Sequence, residues 1–173
     1  MKPICLMLVS AFTFAFATTE LAAQTWPTKP LRAVVPFAAG SSTDIIPRVV
    51  FERLSQQFGQ TIVVENRTGA GGTIGTAFVA KSEPDGYTIL VSGAAHTIAP
   101  ALYPKLTYHP GRDFVAVVPL GISPNVLVVS PAKGFKTVGD LVTAAKSRPG
   151  TFNFSSVGIG TATHLSEIGR AHV

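Results

Sequence analysis

Apolar runs alternate along the chain with segments of mixed polarity, and the period changes from one to the next. LRAVVPF (31–37), TIVVEN (61–66) and YTILVS (87–92) are short and nearly all apolar, the pattern of strands covered on both faces of a parallel sheet. Between them, TDIIPRVVFERLSQQF (43–58) and TIGTAFVAKS (73–82) space their apolar residues close to the 3.6 period of a helix. Gly59 stands where a helix-ending glycine belongs, and PDGY (84–87) reads as a turn. Strand, helix, strand, helix, strand in this order predicts right-handed crossovers and a parallel α/β sheet. The stretch GAAHTIAPALYPKLTYHPGRD (93–113), rich in Pro and Gly, is expected to be irregular. Beyond it, FVAVVPLG (114–121), NVLVVS (125–130) and TFNFSS (151–156) predict three more strands. TVGDLVTAAKSRP (137–149) predicts a helix capped by Thr137 with Asp140 as its partner, a weaker form of the capping box. VGIGTATHL (157–165) is a turn running into a final helix.

Not all of the hydrophobicity is core. Residues 1–23, MKPICLMLVSAFTFAFATTELAA, carry one Lys, an apolar run and then small residues before Gln24, the layout of a cleaved secretory signal peptide. The run is too short to favour a membrane span, so an exported, periplasmic protein is expected. The one cysteine, Cys5, lies inside this segment and too early for a lipid-modified site. The sequence from 24 to 173 therefore offers no disulfide, no thiolate nucleophile and no Cys-ligated metal. With 46% hydrophobic and 13% charged residues a packed core is expected and disorder is not. The net charge of +5 is spread singly, with no basic stripe, which argues against nucleic acid as a partner.

Two strand-to-helix connections stand out, PFAAGSSTD (36–44) and FSSVGIGTATH (154–164). Each ends a strand on small residues and opens a helix with free N–H groups and hydroxyls, a combination that attracts anions. In parallel α/β sheets such connections lie beyond the carboxyl ends of the strands, where ligands bind. Asp44 has two readings: it orients the first turn by accepting backbone N–H bonds, or it meets ligand directly or through water. Pro47 is tolerated if the helix begins near Thr43 or Asp44, and costs more if it begins earlier. GAGGTIG (69–75) resembles a dinucleotide fingerprint, but its third glycine is one residue late and no acid follows at the right distance. A tight packing loop is the alternative. His96, His109 and His164 lack metal-ligand spacing, and no Ser sits in a nucleophile elbow, so neither a metal, a cofactor nor catalysis is expected.

From WPTKPLRAVVPFAAGSSTD through ERLSQQFGQTIVVENRTGAGGTIGTAFVAKSEPDGYTILV, the order and spacing resemble the Bug family, extracytoplasmic receptors of tripartite tricarboxylate transporters. The likeness continues in ALYPKLTYHPGRDFVAV, PNVLVVSPAKGFKTVGDLVTAAKSRPGTFNFSS and GIGTATHL, covering nearly all of 26–165. It implies a two-lobed α/β clamshell of the type II periplasmic-binding-protein kind, a small organic carboxylate held by amides, hydroxyls and waters, and membrane transporter subunits as partners of a monomeric receptor. It further implies that Phe37, Ala38, Ala39, Gly40, Ser41, Ser42 and Asp44 line one jaw, and Ser155, Ser156, Gly158, Gly160 and Thr161 the other. Three positions depart from the family: Ser41 replaces its usual glycine, Thr68 its proline and His109 its aspartate. Ser41 bears most on ligand choice, since it adds a donor and removes backbone freedom.

Family members run roughly twice this length. The resemblance therefore implies a first lobe over 24–123 without its returning segment and the start of a second over 124–167. Residues 168–173, IGRAHV, match one frame of a common sequencing-adapter oligonucleotide and are expected to be foreign to the native chain. Uncovered apolar strand faces predict aggregation or a molten state for such a piece, with weak ligand binding. The alternatives from other classes are an exported dinucleotide-dependent enzyme using GAGGTIG, and a sensor subunit that reports to a signalling partner.

Overall fold

The computed structural model describes residues 26–171, with side chains described through Ser166. The signal-peptide reading of 1–23 lies outside the described residues. Of the 168–173 tail, only the backbone of 168–171 is described, as helix.

Three parallel strands form the sheet: β1 (Leu31–Val35), β2 (Ile62–Asn66) and β3 (Thr88–Leu90), in the order β2–β1–β3. Leu31 is in register with Ile62 and Arg32 with Thr88. The crossovers are α1 (Ser42–Phe58) and α2 (Thr73–Ala80), as the alternating pattern predicts. The central strand shows why its sequence is almost wholly apolar: Ala33, Val34 and Val35 are fully buried, covered on both sides. Helix α1 presents Asp44, Pro47 and Phe51, spaced three and four apart, to the interior. Phe51 packs into the cluster of Leu31, Ala33, Val35, Ile62 and Val91. Gly59 ends α1 at φ +63°, the left-handed conformation that only glycine adopts without strain.

Helix α1 begins at Ser42, so Pro47 lies inside it and deprives the Thr43 carbonyl of its usual i+4 donor. Burial of the Pro47 ring offsets that loss. Helix α4 (Val138–Ser147) starts as its sequence indicates: Thr137 Oγ1 accepts from Asp140 N–H at 3.1 Å, and Asp140 Oδ2 accepts from Thr137 N–H at 2.9 Å.

Two expectations need correction. The stretch 93–113 is not irregular throughout, because Ala94–Leu102 form helix α3. Its buried residues Ala95 and Ala99 are four apart, a helical stripe that Gly93, Pro100 and Pro104 mask in the sequence. The runs 114–121, 125–130 and 151–156 form no strands. Ladder hydrogen bonds need a neighbouring strand, and these runs have none among the described residues. Val115, Val117 and Ile122 are 90%, 87% and 94% exposed, while Leu120 alone in this region packs against the core. Helix α5 (Ala162–Ala171) follows the last of these runs.

Candidate ligand-binding site

Three strand- or loop-to-helix connections meet at one cleft. The first, Pro36–Ser41, leads from β1 to α1. Its shape is set from behind by Asp44, which is 2% exposed. Asp44 Oδ2 accepts the Gly40 N–H at 2.8 Å, and Oδ1 accepts from Arg48 Nε and from Asn66 Nδ2, each at 2.9 Å. Asn66, at the end of β2, also donates to the Phe37 carbonyl at 2.9 Å, and its Oδ1 accepts from Arg48 at 2.9 Å. The hydrogen bond from Arg48, helped by Gly40 and Asn66 and opposed by burial, lowers the Asp44 carboxyl to about 2. In return the carboxylate raises the Arg48 guanidinium further above its ordinary value. Asp44 thus spends its acceptors on holding the turn, the orienting role that sequence left open beside direct contact. Arg48 and Asn66 are the partners that sequence reasoning missed; Arg48 sits one helical turn from Asp44, which is the signal available for it.

With the turn held, the helix start faces outward. Ser41 caps α1 through its carbonyl, which accepts the Asp44 and Ile45 N–H groups at 2.9 Å. Its hydroxyl makes no cap bond and is buried without a partner among the described residues. The N–H groups of Ser42 and Thr43 lie in the first turn, beyond reach of an intrahelical acceptor, and have no backbone partner among the described residues. The second connection, Val91–Gly93, leads from β3 to α3 and has the same character: His96 N–H bonds the Gly93 carbonyl at 2.9 Å, and the Ala94 and Ala95 N–H groups have no backbone partner among the described residues.

The third connection, Ser155–Thr161, opens α5. Gly158 at φ +141° and Gly160 at φ +85° carry the chain through conformations closed to other residues. Thr161 Oγ1 donates to the Gly158 carbonyl at 2.7 Å and accepts the His164 N–H at 3.3 Å, tying the turn to its helix. Ser156 Oγ lies 3.4 Å from the Gly158 N–H that it accepts and 3.3 Å from His164 Nδ1.

The cleft has a volume of about 480 Å3, within the roughly 300–1,000 Å3 usual for small-molecule sites. Of the residues singled out from sequence, Phe37, Ser41, Ser42 and Thr161 line it. Ala38, Ala39, Gly40, Asp44, Ser155, Ser156, Gly158 and Gly160 are not among its lining residues. The cleft also takes Ser92, Gly93, Ala94 and Ala95 from the second connection, and Ser123 and Asn125 from the exposed run. The second connection was legible in principle, since VSGAAH repeats the small-residue signature of the other two. Among the described residues no charged or histidine side chain lines the cleft. Hydroxyls, one amide and free helix-start N–H groups form its polar surface, which suits an anion that is hydrogen-bonded rather than ion-paired.

The glycine-rich segment GAGGTIG serves packing. A Cβ on Gly75 would stand 2.6 Å from the Arg67 carbonyl, and one on Gly72 would press on Pro36 and Phe37 at 3.3 Å. These glycines let α2 sit against the end of β1. His96 stacks near Tyr108 and meets Phe114 edge-on, His109 Nδ1 accepts the Gly111 N–H, and His164 faces Ser156. Among the described residues no three His, Cys, Asp or Glu gather as a metal site, and no helix is long and apolar enough to cross a membrane.

Residues 46–169 match the tripartite tricarboxylate transporter family receptor. The chain belongs to that family. It is 40% identical over 147 residues to Protein BugT of Bordetella pertussis, an alignment covering 84% of this chain and 45% of BugT. Among solved structures it resembles Rpa4515 of R. palustris with adipate (TM-score 0.78, 35% identity). It also resembles MatC (Rpa3494) from Rhodopseudomonas palustris with bound malate (TM-score 0.75, 34% identity). Each of these alignments covers 82% of this chain, and 48% and 49% of the respective relatives. The chain thus spans about half the length of the relatives it matches, and its α/β fold with a parallel sheet is that of the corresponding part of these receptors.

Proposed function

We propose that this receptor captures a small organic carboxylate, a di- or tricarboxylate or a related acid, in the cleft and passes it to the membrane subunits of a tripartite transporter. It does so without chemistry, as a monomer in the periplasm. The observation that carries this reading is the meeting of three helix starts on a cleft without charged side chains, in a family whose solved members include an adipate complex and a malate complex. One carboxylate takes the first connection, with Ser41 Oγ and the Ser42 and Thr43 N–H groups as donors. A second takes the third connection, at Thr161. Residues 24–123 and 124–167 belong to two lobes, and closure between them completes the donor set around the ligand. Calorimetry on the polypeptide of the complete reading frame, with malate, adipate and citrate, tests the reading. Heat and a saturable isotherm with one of them support it, and silence with all three, together with no thermal shift, counts against it.

A further inference from the structure

Two residues outside the cleft touch the third connection where it approaches the rest of the molecule. Gly71 lies in the glycine-rich loop before α2, at φ +63°. A Cβ placed there would meet the Ile159 carbonyl oxygen at 2.8 Å and the Tyr103 hydroxyl at 2.7 Å. Tyr103, which follows α3, also lies under Gly160: a Cβ on that buried glycine would come within 3.6 Å of its ring, and within 3.4 Å of Leu102. The backbone of Ile159–Gly160 therefore rests on a shelf made by Gly71 and the Tyr103 ring. Thr161, next in sequence, lines the cleft.

We infer that Gly71 and Tyr103 are positioning residues for the site, the seat against which the third connection closes. The distance between the α5 start and the α1 start is set there, without either residue touching the ligand. The absence of a side chain at 71 is what permits the approach. An added methyl meets a backbone carbonyl, which cannot rotate away as a side-chain end can, so the third connection must back off.

Gly59 supplies a matched control. Its φ and ψ, +63° and 15°, nearly equal the +63° and 22° of Gly71, yet a Cβ there has nothing within 4 Å. Gly59→Ala and Gly71→Ala thus carry the same backbone strain, and only the second collides. The test places nitroxide labels at Glu52→Cys on α1 and Ser166→Cys on α5, in a Cys5→Ser background, and reads their separation by pulsed electron resonance. The unaltered seat and Gly59→Ala give one narrow distance. Gly71→Ala gives a longer and broader one, and Tyr103→Ala, which removes the ring without straining the backbone, a broader one. Equal distributions for Gly71→Ala and Gly59→Ala overturn the inference; if Gly71→Ala does not fold, Tyr103→Ala decides in the same way. An affinity arm rests on the proposed carboxylate reading: malate binds Gly71→Ala roughly tenfold or more weakly than Gly59→Ala. Failure of malate, adipate and citrate alike to bind any variant defeats that reading while the label distances still judge the seat.

Discussion

Replacing Asp44 by Asn tests the frame of the first connection with a change of one atom. The carboxylate serves the Gly40 N–H, the Arg48 guanidinium and the Asn66 amide at 2.8–2.9 Å. Asparagine keeps the shape but turns one acceptor into a donor, so a donor must face Gly40, Arg48 or Asn66, each itself a donor. Hydrogen bonds to a charged group contribute about 1.5–3 kcal/mol each, and part of this is recovered by relaxation. The expected loss at pH 7 is about 2–4 kcal/mol. The pH dependence gives a second, independent magnitude. Asp44 titrates near 2 in the folded chain against 3.8 when unfolded, so its contribution is present above about pH 4. It disappears as the pH falls through the interval down to about 2, because the unfolded chain takes up the proton first. That shift corresponds to about 2 kcal/mol, within the loss expected for the substitution. The assay is urea unfolding followed by circular dichroism between pH 2 and pH 7, on parent and Asp44→Asn. The difference between the two should be largest near neutrality and shrink below pH 4. A variant within about 0.5 kcal/mol of the parent at pH 7, with an unchanged pH profile, would refute the assignment of Asp44 as the frame of the turn.

Three further outcomes are expected. Ser41→Ala removes a buried hydroxyl with no partner, so melting temperature holds or rises slightly while malate affinity falls about tenfold, as calorimetry would show. Phe51→Ala opens the core beneath α1 and costs about 3–5 kcal/mol by urea unfolding. The paired change Val117→Lys and Val128→Lys, at sites 87% and 81% exposed, lowers dye binding and sedimentable aggregate without lowering the melting temperature; an unfolded double variant would show that these side chains are packed.

The sheet and its crossovers were legible because their signal is local. Continuous apolar runs such as 33–37 suit a strand between two covered faces, and α1 repeats its apolar residues at the helical period up to Gly59. Helix α3 was hidden because Gly93, Pro100 and Pro104 punctuate the stretch, and prolines weigh against a helix in any local reading. The opposite error occurred at 114–121 and 125–130: alternation and β-branching report that a segment is suited to a strand, whereas a ladder depends on a neighbour that no local window contains. At the site, helix starts can be read from Ser, Thr and Gly spacing, which identified the first and third connections. The Asp44–Arg48–Asn66 frame joins residues up to 22 apart through the crossover and follows only from the parallel register of β1 with β2. The Gly71 and Tyr103 shelf is further from reach, since neither residue lies near Ile159 in sequence.

Ligand binding is the property to measure first. Malate, adipate and citrate should be titrated by calorimetry into the polypeptide of the complete reading frame, with Ser41→Ala alongside. Saturable one-to-one binding of at least one acid, weakened in Ser41→Ala, is expected. Absence of heat and of thermal stabilisation with every acid, from a protein that melts cooperatively, would contradict it.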